Sequence, residues 1–186
     1  MRNGSIACKP PSADLHLSGV GHFARATRCT SELVEMSTTT KSIASVLNFI
    51  IETCKDGQEG FRSAAEDVKS ADIKELFSEL SMQRQQFADE LQTLVLGLGE
   101  EAQTSGSFSG VLHHGWMDLK AAITNGDEHT ILVECERGED AAVAAYSDAL
   151  EHEQLPSNVH YVIKRQYMGV QAAQHRVREL RVRLQS

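Results

Sequence analysis

Hydrophobic positions from Ile43 onward recur at intervals of three and four residues. Ile43, Leu47, Ile50, Cys54, Phe61, Ala65 and Val68 lie on one face of a helix over about residues 39 to 69. Ser70-Ala71-Asp72 interrupts that pattern and supplies a cap for the next helix. Ile73, Leu76, Phe77, Leu80, Phe87, Leu91, Leu94 and Leu98 then mark a second long helix, closed by Gly97 and Gly99. A shorter stripe, Phe108, Val111, Leu112, Trp116, Leu119 and Ile123, predicts a small helix ending at Asn125-Gly126. Asp127 caps a third long helix carrying Ile131, Leu132, Cys135, Ala142, Tyr146 and Leu150. After Pro156, at a first-turn position, Val159, Ile163, Tyr167, Val170, Val177, Leu180 and Leu184 predict the fourth.

The first two long helices are joined by only a few residues, so they pack as antiparallel neighbours. The pattern gives two helical hairpins linked by a connection of about 28 residues that holds its own small helix. Composition agrees with an all-α domain. Of the 186 residues 5% are aromatic and 41% hydrophobic, and the three prolines are Pro10, Pro11 and Pro156, so none falls between Ser12 and Leu155. No apolar run is long enough to span a bilayer, so no membrane partner is expected.

Residues 1–35 read differently. They hold Pro10-Pro11, several glycines and serines, and no sustained period, and are expected to be a disordered extension preceding a domain over 36–186. Four basic residues against three acidic ones give the extension +1, so a total of −8 leaves −9 on the body. That balance argues against nucleic acid as a partner. The cysteines Cys8, Cys29, Cys54 and Cys135 have no zinc-type spacing, which favours unbridged thiols and a cytoplasmic location.

Advancing about 100° per residue from each stripe shows which polar residues turn inward. Gln58 fills the gap between Cys54 and Phe61. Arg84 falls four after Leu80 and three before Phe87, Glu139 four after Cys135 and three before Ala142, and Gln174 between Val170 and Val177. The predicted mid-bundle layer is Gln58, Arg84, Glu139 and Gln174, with Tyr146 and Tyr167 nearby. One acid, one base and two amides make a self-neutralising set, in which a guanidinium suits a carboxylate and repels a dication. His113 and His114 are adjacent, diverge by about 100° on a helix, and read as surface residues.

Several segments resemble an uncharacterised bacterial ferritin-like four-helix-bundle family, a domain of unknown function. They are Ile50-Ile-Glu-Thr-Cys-Lys-Asp-Gly-Gln-Glu-Gly-Phe-Arg, Leu112-His-His-Gly-Trp-Met-Asp-Leu-Lys, Glu134-Cys-Glu-Arg-Gly-Glu-Asp, and Tyr167-Met-Gly-Val-Gln with His175 and Arg178. The resemblance runs from about residue 40 to 182. It implies a ferritin-like antiparallel four-helix bundle, with the long connection as its crossover, and leaves the activity open. Ferritin-like folds often hold two iron or manganese ions between a Glu on each of two helices and Glu-x-x-His on the other two. Neither Glu-x-x-His occurs here. The metal-ligating alternative, a di-iron or di-manganese oxidoreductase or iron-handling protein, would draw on Glu59, Glu136, Glu139 and His175. The leading expectation is a non-enzymatic homo-oligomer of structural or interaction type, without a cofactor. A stress-related role follows only by analogy with the fold.

Overall fold

The computed structural model describes residues 23–102 and 127–184, with side chains from Glu35 onward. The small helix expected over 108–123, with His113, His114 and Trp116, lies outside the described residues, as do residues 1–22. The chain divides into two units, residues 1–36 and 37–186. Four helices are described: α1 Phe23–Asp67, α2 Ala71–Gly97, α3 Glu128–Leu150 and α4 Ser157–Arg183. The described residues contain no strand. α1 begins upstream of residue 39, where the hydrophobic period starts it. Phe23 to Met36 contains no proline or glycine and several strong helix formers, so propensity extends the helix without an apolar stripe.

Each boundary has a local cause. α2 ends in a Schellman motif: Gly99 adopts φ +77°, its N–H donates to the Leu96 carbonyl at 3.0 Å, and the Glu100 N–H donates to the Val95 carbonyl at 3.3 Å. Asp127 caps α3 by accepting the Thr130 N–H at 3.2 Å. Pro156 is the N-cap residue of α4. Ser70 makes no side-chain cap at α2. Instead one carboxylate oxygen of Glu128, in the first turn of α3, accepts the N–H groups of Lys69 at 2.5 Å and Ser70 at 2.7 Å.

Those contacts also fix direction. The α1–α2 link meets the start of α3, whereas Glu101, just past the end of α2, accepts a hydrogen bond from Asn48 at 3.1 Å. The segment between Glu101 and Asp127 therefore joins opposite ends of the bundle. α1 runs against α3, with Cys54 beside Tyr146 and Ser42 beside His152. α2 runs against α4, with Glu79 paired to Arg176 and Glu90 to Arg165. α2 and α3 are thus parallel and diagonal across the core, the layout of a ferritin-like bundle with one long crossover.

Removing the Glu128 carboxylate strands two backbone donors where the hairpins meet. Glu128→Ala is expected to lower unfolding free energy by about 1–2 kcal/mol, with Glu128→Gln losing less, in urea titrations followed by circular dichroism.

A candidate functional site in the buried polar layer

The apolar core is interrupted at mid-height. One cluster includes Leu47, Ile50, Cys54, Leu91 and Ile163; the other includes Phe61, Phe77, Leu80, Ile131 and Val177. The interruption falls between Leu80 and Ala88 on α2 and between Cys135 and Ala142 on α3. Arg84 and Glu139 occupy these two gaps, only 1% and 2% exposed. Nη2 of Arg84 donates to both carboxylate oxygens of Glu139 at 2.6 Å, closing the diagonal of the bundle.

The guanidinium is held from several sides. Its stem lies along Gly57 of α1, where an added Cβ would sit 3.4 Å from Arg84 Cδ. Its planar head lies 5.9 Å from the Phe87 ring centroid, within cation–π range. Among the described residues its Nε and Nη1 have no hydrogen-bond partner. Burial works against the charge on Arg84, yet the neighbouring Glu139 carboxylate holds its pKa above the ordinary value. Burial pushes the Glu139 carboxyl up, opposed by the guanidinium.

A second chain of hydrogen bonds leaves this region for the surface. Tyr146 donates its hydroxyl proton to Gln166 Oε1 at 2.7 Å. The Gln166 amide donates to Glu90 at 2.7 Å and to the Phe87 carbonyl at 3.3 Å. Glu90 is ion-paired with Arg165 at the rim. Since Tyr146 has spent its proton on Gln166, the Cys54 thiol 3.1 Å away is the donor in their contact. Burial raises the pKa of both Cys54 and Tyr146. Cys135 is also raised by burial, and it sits in the other apolar cluster, away from Cys54. Both thiols are unbridged and protonated at neutral pH.

Of the four residues predicted to form the layer, the structure brings Arg84 and Glu139 together at its centre. Gln58 is partly buried at the edge, and its backbone carbonyl, rather than its amide, accepts from Ser81 at 2.9 Å. Gln174 is not in the layer. It points along the α3–α4 flank and donates to Asp140, and the fully buried amide of α4 is Gln166. Tyr146 is fully buried beside the layer, and Tyr167 is partly buried off the core stripe.

The residues considered for metal binding are dispersed. Glu59 is exposed and accepts from Arg62 at 2.9 Å. Glu136 is bonded by Arg178 and Arg181; despite the opposing effect of burial, these two arginines hold its carboxyl below the usual range. His175 is exposed, 3.3 Å from Glu179, and Glu139 faces Arg84. Among the described residues no three of His, Cys, Asp and Glu are grouped to hold a metal ion. A di-metal centre needs four inward carboxylates and two histidines. The residues of this layer do not fit one, because it has a single carboxylate, already neutralised by a guanidinium in the middle of the bundle.

Fold and layer together define a ferritin-like four-helix bundle with a polar, charge-paired waist. The sequence profile of the family described as a domain of unknown function, DUF2383, matches residues 42–152, and the chain belongs to that family. Among solved structures it is similar to a mutant of Dps1 from Mycobacterium smegmatis, with a TM-score of 0.62 and 13% identity over 76% of this chain and 96% of that one. No curated protein matches the chain.

Two predictions test the electrostatics. Arg84→Leu leaves Glu139 as an orphaned buried charge and is expected to cost about 3–5 kcal/mol in urea unfolding. Adding Glu139→Leu should recover most of that loss, and additive costs in the double-mutant cycle would contradict the pairing. Asp56 on α1 is half-buried, and its burial, followed by the charge of Glu52, pushes its carboxyl up to about 6. An acid with a folded pKa above its unfolded value destabilises when ionised, so its penalty is fully present above about pH 6 and fades toward pH 4. Asp56→Asn should therefore raise Tm at pH 7–8, with the gain shrinking as pH falls through 6; a pH-independent difference in calorimetry would contradict it.

Proposed function

We propose that this protein is a non-enzymatic ferritin-like bundle of structural or interaction type, self-associating and cytoplasmic, whose Arg84–Glu139 layer stands where metalloproteins of this fold hold two metal ions. The observation that carries the reading is the Arg84 guanidinium, 1% exposed and bonded at 2.6 Å to Glu139 on the diagonal helix. A fixed cation there opposes a dication by direct repulsion and occupies the carboxylate that would otherwise bind it. In the hydrogen-bonded chain from Cys54 to Glu90, burial raises both the thiol and the phenol, away from proton transfer near neutral pH. Two buried, unbridged thiols suit a reducing compartment.

The test is the metal content of protein purified without chelator, before and after anaerobic Fe(II) loading and exposure to air. Substoichiometric metal and an unchanged near-ultraviolet spectrum are expected. About two irons per chain with a new oxo–iron band, the stoichiometry of a di-iron site, would overturn the reading.

A further inference from the structure

α4 carries two stripes at heptad spacing, and only one of them faces the core. Val159, Gln166 and Ala173 alternate with Ile163, Val170 and Val177 on the buried side. On the opposite side Tyr161, Met168, His175 and Val182 recur at seven-residue intervals. Seven residues are close to two helical turns, so these four side chains form a continuous ridge. Tyr161, Met168 and Val182 are 69%, 63% and 50% exposed. α2 flanks the ridge on one side through Glu79–Arg176, and α3 on the other through Glu136–Arg178. Over its C-terminal half the ridge opens into a shallow groove of about 320 Å³ lined by His175, Arg178, Glu179, Val182 and Arg183.

We propose that this outer face of α4 is the docking surface for a second copy of the chain, laid antiparallel along it. A heptad-spaced ridge is the complement of another helix, and the sequence is self-complementary when reversed. With the two-fold axis between Gln171 and Ala172, Tyr161 meets Val182 of the partner subunit and enters the groove between His175 and Val182. Arg178 and Arg183 there offer guanidinium faces to its ring. Met168 meets the partner's His175. Lys164, which makes no ion pair among the described residues, meets the partner's Glu179, which stays half exposed beside His175 and Arg183 of its own helix, and the symmetry makes that contact twice. A parallel pairing would instead set Lys164 on Lys164 and Glu179 on Glu179. Arg165 and Arg178 approach in the antiparallel register, and each is neutralised within its own bundle by Glu90 and Glu136.

The contact from Tyr161 to Val182 is about 33 Å long at helical rise. A seam of that length lies at the small end of specific interfaces, consistent with reversible dimers dissociating in the micromolar range. The inference rests on the self-associating part of the proposed function and is independent of the buried layer.

Sedimentation equilibrium of the full chain, from about 1 to 100 μM to span that range, tests it. The wild type is expected to self-associate, and Tyr161→Glu with Met168→Glu to lose that association while keeping helix content and Tm. Lys164→Glu and Glu179→Lys are each expected to weaken association about three- to tenfold at low salt, and the combined exchange to restore it. An oligomer untouched by the Tyr161/Met168 pair overturns this surface and leaves self-association standing. Charge variants whose combination does not recover overturn the antiparallel register. A wild type that stays monomeric throughout overturns both.

Discussion

A buried cation in a core otherwise built of aliphatic side chains constrains the bundle more than any other feature. Arg84 is tolerable at 1% exposure because Glu139 is there to meet it, and the pair is made across the diagonal, between helices joined only by the long crossover. Each hairpin sets its own internal register through a short link. Nothing so short relates one hairpin to the other, because the segment between them joins opposite ends of the bundle. A charge pair that must close at 2.6 Å supplies that relation. A slip of either hairpin by one turn, about 5.4 Å, would leave two charges apart in a medium where orphaned charge costs several kcal/mol. Glu128 on Lys69 and Ser70 enforces the same alignment at the end of the bundle.

Such a pair need not add net stability, since two well-packed aliphatic residues often do as well. Its value lies in discrimination. The two apolar clusters on either side offer many near-equivalent ways for Leu, Ile and Ala to interdigitate, and the polar waist singles out one axial alignment. Gly57 belongs to the same device. A larger side chain there would displace the Arg84 stem from α1, since a Cβ alone already stands 3.4 Å from Arg84 Cδ.

Much of this is legible from period alone, and the failures have a common cause. Arg84 and Glu139 each sit between two unambiguous apolar neighbours, so their inward direction follows from spacing. On α4 two walks satisfy the three-four rule: Ile163, Tyr167, Val170, Gln174, Val177, or Ile163, Gln166, Val170, Ala173, Val177. The first puts an aromatic in the core, which makes it the better match to an apolar stripe; the helix takes the second. Gln166 is buried because its amide is fully used, accepting from Tyr146 and donating to Glu90 and Phe87. No count of apolar residues along one helix reveals partners on two others. The start of α1 escapes the period for the converse reason, since propensity without amphipathicity leaves no periodic trace.

α4 carries a further stripe besides the two that compete for the core. A helix that only closes a bundle needs one apolar stripe and is free to be polar elsewhere. α4 places Tyr161, Met168 and Val182 at heptad intervals opposite its core stripe, each at least half exposed. Scattered exposed apolar residues require no explanation; a ridge in register over three heptads, ending in a groove, is a different kind of surface. On the proposed reading the buried waist uses its charge for alignment, and the outer face is the one that docks. On that reading, with a guanidinium at the centre of the bundle, interaction falls to what the helices present outward.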